Sequence, residues 1–530
     1  MTNPADVSVI SMDVPPIAFK DDAVSVPIML RAVGVKGQHA TLTAKLGDEV
    51  VARREIAFDA DGPRTETIQF TPKADGDRTL TVRVSPLASE AVLQNNERAE
   101  PLSVLSRKIR VLLVDRQPRF DFKFLQAALL RDRRVELKCV LLEGDPEIAR
   151  AEQTAYLPAF PATLKALAEY DLVVLGDVGP SDLPSDAPKS LHDFISQLGG
   201  GFACVAGAAR GPAAWNATPL ANALPVQATN VTAPAVASAA SALDRTSAGS
   251  ASGLLDLSAD AADDALLWKG LPGVWWVAPS VRAKPAAQVL VQSRTTDGTS
   301  SRPVIVLQQY GLGQSLYIGT DELWRWRRNV GDRYYARLWG QFVQRLALAH
   351  LLGQNKRTQI AVDGRTFEPG ATVVVHARLF DADIHPIVRP SVRAEATDGN
   401  GVSQQITLWQ VPDQPGAYRG EFVPSAVGHY SIHMLDTDEP GQATLDVVDP
   451  SRELTDIALN ESLLQQIVNL SGGAFVREED LAKLPGMIES KRTPVRATVE
   501  LQLWSSPGVF LTLLLLMCLE WLLRRWWQLK

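Results

Sequence analysis

The sequence predicts a multi-domain fold in which an α/β doubly wound domain lies between two immunoglobulin-like (Ig-like) β-sandwiches, followed by a single transmembrane helix. Three observations predict it. Short strands separated by turn residues fill 1–106 and 354–450, strands alternate with helices over 107–353, and a mostly apolar run covers 503–525, after a helical linker region at 451–502. A chain of 530 residues is long enough for several domains, each with its own core.

Composition narrows the classes of function. The chain carries a net charge of −7 and no long basic stripe, which argues against a nucleic-acid partner. Its three cysteines, Cys139, Cys204 and Cys518, lie far apart and match neither a zinc-binding nor a disulfide spacing. We therefore expect no metal and no cofactor, and a fold that rests on packing.

The first predicted domain, 1–106, is all β. Apolar and polar residues alternate with a period of two, and turn signals such as LGDE and DADGP separate the segments. Five or more short strands at this spacing are typical of a small Ig-like sandwich. The clearest strands are predicted at 24–30, 40–47, 50–58, 65–70 and 78–85.

The second predicted domain, 107–353, alternates continuous apolar strands with helices, which predicts a parallel sheet covered on both faces. Residues 228–265 are rich in Ala, Ser and Asp without a clear period, so we expect an irregular insertion there. Strands are predicted at 109–115, 135–144, 171–178 and 202–208, and helices at 122–132, 163–170 and 190–201.

The region 354–450 returns to short strands, and we expect a second Ig-like sandwich there. The clearest of its strands are predicted at 372–380, 391–401, 417–424 and 429–435. In the linker region that follows, apolar residues recur at three- and four-residue steps over 459–473, which predicts a helix that ends at two glycines.

The run from Leu503 to Leu523 is long enough to cross a bilayer. Arg524 and Arg525 follow it directly, so the positive-inside rule predicts a single-pass protein with a cytoplasmic C-terminus. A buried amphipathic helix is the alternative, because Glu520 lies within the run. The tryptophans that flank the run, as interfacial aromatics do, are Trp504, Trp521, Trp526 and Trp527.

The part of the chain before the apolar run, which we call the body, must lie on one side of the membrane. The first residues, MTNPADVSVISMDVPP, lack the basic and apolar regions of a signal peptide. We expect a periplasmic body whose export signal lies upstream of Met1, and a cytoplasmic body is the alternative.

Several segments of the middle domain, together with the tail, carry a resemblance to a known family. The segments are IRVLLVDRQPRFDFKFLQAAL (109–129), DLVVLGDV (171–178), the helix into GGGFACVAG (199–207), TPLANALPV (218–226), GQSLYIGTDELWRWR (313–327) followed by GDRYYARLWGQFVQRLA (331–347), and the closing run from Leu503. Together they resemble a divergent, membrane-anchored bacterial form of the class I glutamine amidotransferase-like domain. Such proteins occur with von Willebrand A domains and with aerotolerance-type gene clusters served by MoxR-like ATPases. The resemblance therefore implies partners among other membrane or envelope proteins.

The resemblance also implies that the catalytic triad is lost. The family nucleophile is a cysteine in a GxCxG turn, and here Gly207 stands at that position while Cys204 falls inside the strand. The family His-x-Glu follows a late strand, and here no histidine stands there. His192 and His350 are predicted on helices instead. We therefore predict no catalytic residue.

The carboxyl ends of the parallel strands are the expected ligand-binding edge of such a domain. Polar and glycine residues that follow the strands are the ligand-binding candidates: Asp115, Asp177, Gly207, Arg210, Asp321 and Arg325. The alternative is purely structural. In it, Asp321 caps the next helix, Trp324 and Trp326 pack, and the arginines pair with acids.

Taken together, the sequence predicts a non-catalytic, membrane-anchored scaffold or sensor in a bacterial envelope complex, whose amidotransferase-like domain binds a protein or a small ligand. One alternative is a hydrolase or amidase that uses the carboxylates of Asp115, Asp177 and Asp321. Another is a glycan- or small-ligand-binding module built on exposed tryptophans such as Trp275, Trp276, Trp324 and Trp326.

Overall fold

The computed structural model divides into two compact units, Pro4–Ile457 and Ala458–Lys530. It describes residues 5–528 except 88–89, 91, 153, 230–239, 259, 295–300, 329, 353–356, 365, 413, 438–440, 449–460 and 488–502. The chain is rich in β-structure, with several separate sheets, and one helix near the C-terminus is long and apolar enough to cross a membrane.

The N-terminal domain is a sandwich of two sheets, with strand orders β1-β3-β6 and β2-β8-β7-β4-β5. Alternate residues of β3 are buried, and the apolar side chains of both sheets form one core. The predicted strands are present, and the sequence analysis missed β1, β2 and β8. The strands are β1 (Asp6–Met12), β2 (Ile17–Phe19), β3 (Val24–Val33), β4 (His39–Leu46), β5 (Glu49–Ala57), β6 (Gly62–Phe70), β7 (Gly76–Val84) and β8 (Glu97–Leu105).

The middle domain contains one eight-stranded sheet with the order β10-β9-β11-β12-β18-β17-β16-β14. The first five strands of this order, from β10 to β18, run parallel to their neighbours. Strand β17 pairs antiparallel with β18, β16 with β17, and β14 with β16. The strands are β9 (Ile109–Asp115), β10 (Val135–Leu141), β11 (Leu172–Leu175), β12 (Gly201–Val205), β14 (Leu243–Arg245), β16 (Gln288–Arg294), β17 (Ser301–Tyr310) and β18 (Gly313–Ile318); β13 (Val226–Ala228) and β15 (Val281–Ala283) form a separate pair.

Both faces of this sheet are covered. Val111 and Leu113 of β9 share a core with the two helices on one face, α1 and α8, whereas Leu112 and Val114 point to α4 on the other. This is why the parallel strands are continuous apolar runs. The helices are α1 (Phe120–Arg131), α2 (Pro146–Ala151), α3 (Leu164–Leu167), α4 (Ala187–Leu198), α5 (Leu220–Ala223), α6 (Ser247–Ala251), α7 (Ala261–Gly270) and α8 (Arg333–Leu352).

The prediction of an irregular insertion at 228–265 is wrong for the described part of that segment. Strand β14 extends the main sheet beside β16, and helices α6 and α7 begin within the segment. Side-chain caps start these helices. Thr246 accepts from the amide of Gly249, and Asp260 accepts from the amides of Ala262 and Asp263. Capping residues rather than apolar periodicity therefore mark the helices. Residues 230–239 and 259 lie outside the described residues.

One buried carboxylate, Asp171, ties the entry of the middle domain to its last helix. Asp171 accepts two hydrogen bonds from the guanidinium of Arg107 (2.8 and 3.1 Å) and one from the amide of Arg110 (2.8 Å). It also bonds to Nδ1 of His350 on α8 at 2.8 Å. Burial alone would raise the pKa of Asp171, but the bonds from His350 and Arg107 outweigh it and bring the pKa to about 2.

The third region is a single eight-stranded sheet, β19-β21-β24-β23-β22-β25-β26-β20, rather than the two separate sheets expected of a sandwich. The sheet curls over one core, and β19 comes back into contact with β26. Strand periodicity shows where the strands lie but not which of them pair. It therefore could not distinguish one continuously hydrogen-bonded sheet from a sandwich. The strands are β19 (Thr358–Val362), β20 (Thr366–Phe367), β21 (Val373–Leu379), β22 (Ser391–Asp398), β23 (Ser403–Gln410), β24 (Ala417–Phe422), β25 (Gly428–Met434) and β26 (Gln442–Val447).

The second unit is helical in its described part. It contains α9 (Glu461–Ser471), which agrees with the helix expected at 459–473, α10 (Leu484–Met487) and α11 (Pro507–Trp526). Residues 451–460 and 488–502 of the predicted linker lie outside the described residues. Within α11, Glu520 pairs with Arg524 one turn on (2.9 Å), so its charge is matched at the cationic end of the helix.

Candidate functional site

The central sheet reverses its winding direction at β9. The chain passes from β9 to β10 on one side and then returns to β11 on the other, so the loops after β9 and β11 flank a switch point. Asp115 is the last residue of β9, and Asp177 follows β11 by two residues. Both candidate carboxylates therefore lie at the crevice where doubly wound sheets bind ligands.

Arg119, at the start of α1, joins two of the predicted site residues. Its Nη2 donates to Asp115 Oδ2 at 2.8 Å, and its Nη1 donates to Asp321 Oδ2 at 2.7 Å. A side chain at Gly176 would overlap the Asp115 carboxylate, so this glycine makes room for the ion pair. The structure thus brings Asp115 and Asp321 together, 206 positions apart in the sequence, through one guanidinium.

Burial dominates the electrostatics of this cluster. Desolvation raises the pKa values of Asp115 and Asp321 above the usual range, while Arg119 opposes the shift. Asp121, buried in the first turn of α1, has its pKa raised from 3.8 to about 8, first by burial, against the attraction of Arg119, and further by the charges of Asp321 and Asp115. Two carboxylates, Asp115 and Asp321, therefore bind the Arg119 guanidinium, and the third, Asp121, only feels its charge.

Asp177 and Arg210 hold the loop after β12 in place. The Asp177 carboxylate accepts hydrogen bonds from the amides of Ala209 (3.0 Å) and Arg210 (2.7 Å). The Arg210 side chain makes a two-point pair with Asp182, at 2.8 and 2.7 Å. Gly207 packs against Asp177 so closely that a Cβ would overlap it. The structure therefore brings Asp177, Gly207 and Arg210 together through a backbone amide and packing, while the Arg210 guanidinium binds Asp182, which the sequence analysis did not single out.

Cys204 is a buried residue of the central sheet. It lies inside β12, 3% exposed, and burial raises the pKa of its thiol to about 12. His192 hydrogen-bonds to Asp193 (2.9 Å) and Tyr310 (3.1 Å), and His350 bonds to Asp171. The cavity beside Gly207 has a volume of only about 20 Å³, near the size of one water molecule.

Arg325 pairs with Glu322 rather than with the carboxylates of the Asp115 cluster. Its Nη2 donates to Glu322 Oε1 at 2.8 Å, and Glu322 also accepts from the amides of Trp275 and Trp276. Asp321 does not cap the following 3-10 helix (Leu323–Arg327), since its carboxylate is bound to Arg119. The expectation of a cap is therefore wrong, whereas Trp326 is fully buried, as the structural interpretation expected.

Sequence reasoning missed four residues that shape this edge: Arg119, Asp182, Phe120 and Phe124. Arg119 directly precedes α1. The sequence shows that a charged residue stands there, but not that it binds Asp115 and Asp321. Phe120 and Phe124 are one helical turn apart and stack on Trp324, with ring centroids 5.3 and 5.4 Å away. An i, i+4 aromatic pair beside a predicted strand end is the signal that could have found them.

Comparisons with known proteins give limited guidance. No protein-family model matches the chain, and no curated protein matches its sequence. Among solved structures, the chain is similar to the CARDB domain of the PF1109 protein from Pyrococcus furiosus (13% identity, TM-score 0.19, 20% of this chain and 92% of that one). It is also similar to the Lin-41 filamin domain (21%, 0.15, 17% and 91%) and to a β-glucosidase from Listeria innocua (11%, 0.16, 19% and 16%).

Among the residues that the structure describes, no group of three or more His, Cys, Asp or Glu side chains is placed to hold a metal ion. His429 on β25 hydrogen-bonds to Asp446 at 2.8 Å.

Proposed function

We propose that this protein is a non-catalytic, membrane-anchored scaffold or sensor in a bacterial envelope complex, with a degenerate glutamine amidotransferase-like domain that binds a partner. One observation carries the proposal: the charged groups at the ligand-binding edge are bound to one another. Arg119 links Asp115 to Asp321, and Asp177 accepts hydrogen bonds from the amides of Ala209 and Arg210 in the loop after β12. A catalytic site needs such groups directed at a substrate.

The surroundings of Cys204 support the same proposal. A thiol nucleophile acts as the thiolate, which a raised pKa disfavours, and it needs a base within hydrogen-bond reach. The strand position and the small cavity beside Gly207 leave little space for a glutamine side chain. These features agree with a turn that has lost its nucleophile.

Membrane anchoring belongs to the proposal as well. Helix α11 is 20 residues long, and arginines follow its apolar stretch. We propose one pass through the cell inner membrane, a cytoplasmic C-terminus and a periplasmic body. The partners proposed are other membrane or envelope proteins, including von Willebrand A-domain proteins and a MoxR-like ATPase system.

Two measurements on the full chain in lipid nanodiscs test this proposal. We expect no release of ammonia from glutamine, and the same rate for Cys204→Ala as for the unaltered chain. We also expect photo-crosslinkers on the surface of the middle domain to trap a defined envelope protein in native membranes. Glutamine turnover that Cys204→Ala abolishes, or no crosslinked partner, would contradict the proposal.

A hydrolase is the second candidate, because carboxylates with raised pKa values gather at the switch point. In that case Asp321, the most exposed of the three, would act on the substrate. A panel of amide and ester substrates distinguishes the two functions. Turnover that Asp321→Asn removes, with folding intact, would favour the hydrolase over the scaffold.

A further inference from the structure

A second concave feature lies next to the Asp115 cluster and has a different character. We define the aromatic–arginine pocket as the cavity of about 380 Å³ lined by Phe124, Trp275, Trp324, Arg325, Arg327 and Arg328. Its volume is in the range of sites that bind small ligands or single anchoring side chains. It lies between α1 and the 3-10 helix that follows Asp321.

The pocket is positively charged at its wall. Three arginines line it, and no carboxylate is among the described residues that do so. Arg325 and Arg327 each have one internal partner, Glu322 and Asp332. Arg328 is exposed and makes no ion pair with any residue that the structure describes. A guanidinium carries five donors, so donors remain for an incoming anion.

The apolar part of the pocket is aromatic and partly exposed. Trp275 is 41% exposed, and Phe120, which stacks on Trp324 at the rim, is 63% exposed. The guanidinium of Arg327 lies 3.9 Å from the ring centroid of Phe124, and that of Arg325 lies 4.8 Å from the ring of Trp324. Two of the three arginines in the wall therefore lie against aromatic rings. Tryptophan and arginine are the residue types that dominate binding energy at protein interfaces.

We propose that the aromatic–arginine pocket binds an acidic segment of a partner protein that inserts one large apolar side chain. This inference rests on the proposed scaffold function and names the chemistry of its partner. The rings would hold the apolar side chain, and the arginines would pair with flanking carboxylates. A peptide is favoured over nucleic acid because the chain carries a net charge of −7 and the arginines line one cavity rather than a long stripe.

The test uses the full chain in zwitterionic nanodiscs and a fluorescein-labelled heptapeptide of six acidic residues around a central phenylalanine. We expect saturable binding that weakens about tenfold or more in Arg328→Glu and in Trp275→Ala, as for central interface residues. Matched controls are Arg53→Glu on β5 and Trp409→Ala on β23, which change exposed residues of the same type elsewhere. A peptide with central alanine should also bind more weakly.

Three outcomes would overturn the inference. These are no binding of the peptide, equal binding by Arg328→Glu and the unaltered chain, or tighter Arg328-dependent binding of a thymidine oligonucleotide or of phosphatidylglycerol vesicles. The crosslinking experiment separates this inference from the proposed function. If a partner is trapped equally well in Arg328→Glu, the scaffold stands and the pocket is not its docking site. If none is trapped, the scaffold proposal itself fails.

Discussion

At the scale of single residues, Arg119 joins two strand ends at the carboxyl edge of the central sheet. Asp115 is 2% exposed, and a buried carboxylate without a partner is costly. Arg119 satisfies it and also binds Asp321, so the loops after β9 and β18 are joined by one side chain. Removal of this residue should therefore loosen two strand ends at once.

We expect Arg119→Met to destabilise the middle domain by about 3–5 kcal/mol, because Asp115 is left buried and unpaired. Hydrogen exchange of the α1 amides in the full chain measures the change. The control is Arg110→Met, which removes an exposed pair with Glu169 and should cost about 0–1 kcal/mol. Slow exchange in α1 of Arg119→Met, equal to the unaltered chain, would show that the pair carries no weight.

Asp121 should make the stability of the middle domain depend on pH. The folded state keeps its proton up to about pH 8, whereas the unfolded chain releases it near 3.8. The folded state therefore binds more protons in this window, so the stability from this group is full below pH 3.8 and declines as the pH rises to about 8. The raised pKa values of Asp115 and Asp321 act in the same direction.

The measurement compares Tm at about pH 5 and about pH 8 for the full chain in detergent micelles. We expect Asp121→Asn to reduce the loss of Tm between the two values, and Asp59→Asn, a change at an exposed aspartate, to leave it unaltered. An Asp121→Asn variant with the same pH dependence as the unaltered chain would contradict the assignment.

Much of the candidate site could be placed from the sequence at this scale, but its contacts could not. Asp115 and Asp177 lie at the carboxyl edge because continuous apolar runs end just before them. Their partners depend on loop geometry. The Arg119–Asp321 pair spans 202 positions, and no local pattern indicates it. The structural alternative expected the arginines to pair with acids, but the sequence did not indicate which acid each arginine would bind.

At the scale of secondary-structure elements, the loop from Gly207 to Gly211 is held in place by Asp177, which follows the neighbouring strand β11. Asp177 accepts two amide bonds from this loop, and Gly207 lies against the same carboxylate. Resemblance to a nucleophile-bearing turn identified the position. It could not show that an aspartate from the neighbouring strand fills the space that a side chain would need.

We expect Gly207→Ala to destabilise the middle domain by about 1–3 kcal/mol, because the new Cβ overlaps Asp177. Gly270→Ala, at the end of α7, is the matched control, since a Cβ there meets nothing within 4 Å. Faster exchange of the Ala209 and Arg210 amides would report the displaced loop. Equal exchange in both variants would contradict the packing described here.

The strands and helices themselves were predictable where burial imposes a period. β3 alternates buried and exposed residues, and α4 buries one face, so both were visible in the sequence. β2 has three residues and β14 three, which is too short for any period to appear. The positions of such short strands are determined by the neighbouring strands with which they pair.

At the scale of the whole molecule, the flanking β-regions pack directly on the middle domain. Ile17 and Phe19 of β2 contact the core on one face of the central sheet, while Phe380 and Ile384, beyond β21, enter the core on the other. An ion pair between Lys165 and Asp383 (2.8 Å) adds to the second contact. Composition could show that there were three regions, but contacts between regions leave no periodic signal.

Anchoring makes a prediction about the entire chain. We expect the full chain to stay in carbonate-washed membranes and the double variant Leu513→Arg, Leu516→Arg to be released, because each central arginine costs roughly 2.5–3.5 kcal/mol on insertion. Leu470→Arg, at an 89% exposed position on α9, is the control and should stay bound. Release of the unaltered chain would contradict the anchor.

The junction at Asp171 has an evolutionary consequence. Arg107, where the chain enters the middle domain, and His350, at the end of its last helix, meet at one carboxylate. A domain whose entry and exit lie side by side is tolerated as an insertion, because its removal changes the spacing of its neighbours very little. The middle domain is thus arranged as an insertion between two β-regions. In evolution it could be replaced by another domain without a change in the folds of those two regions.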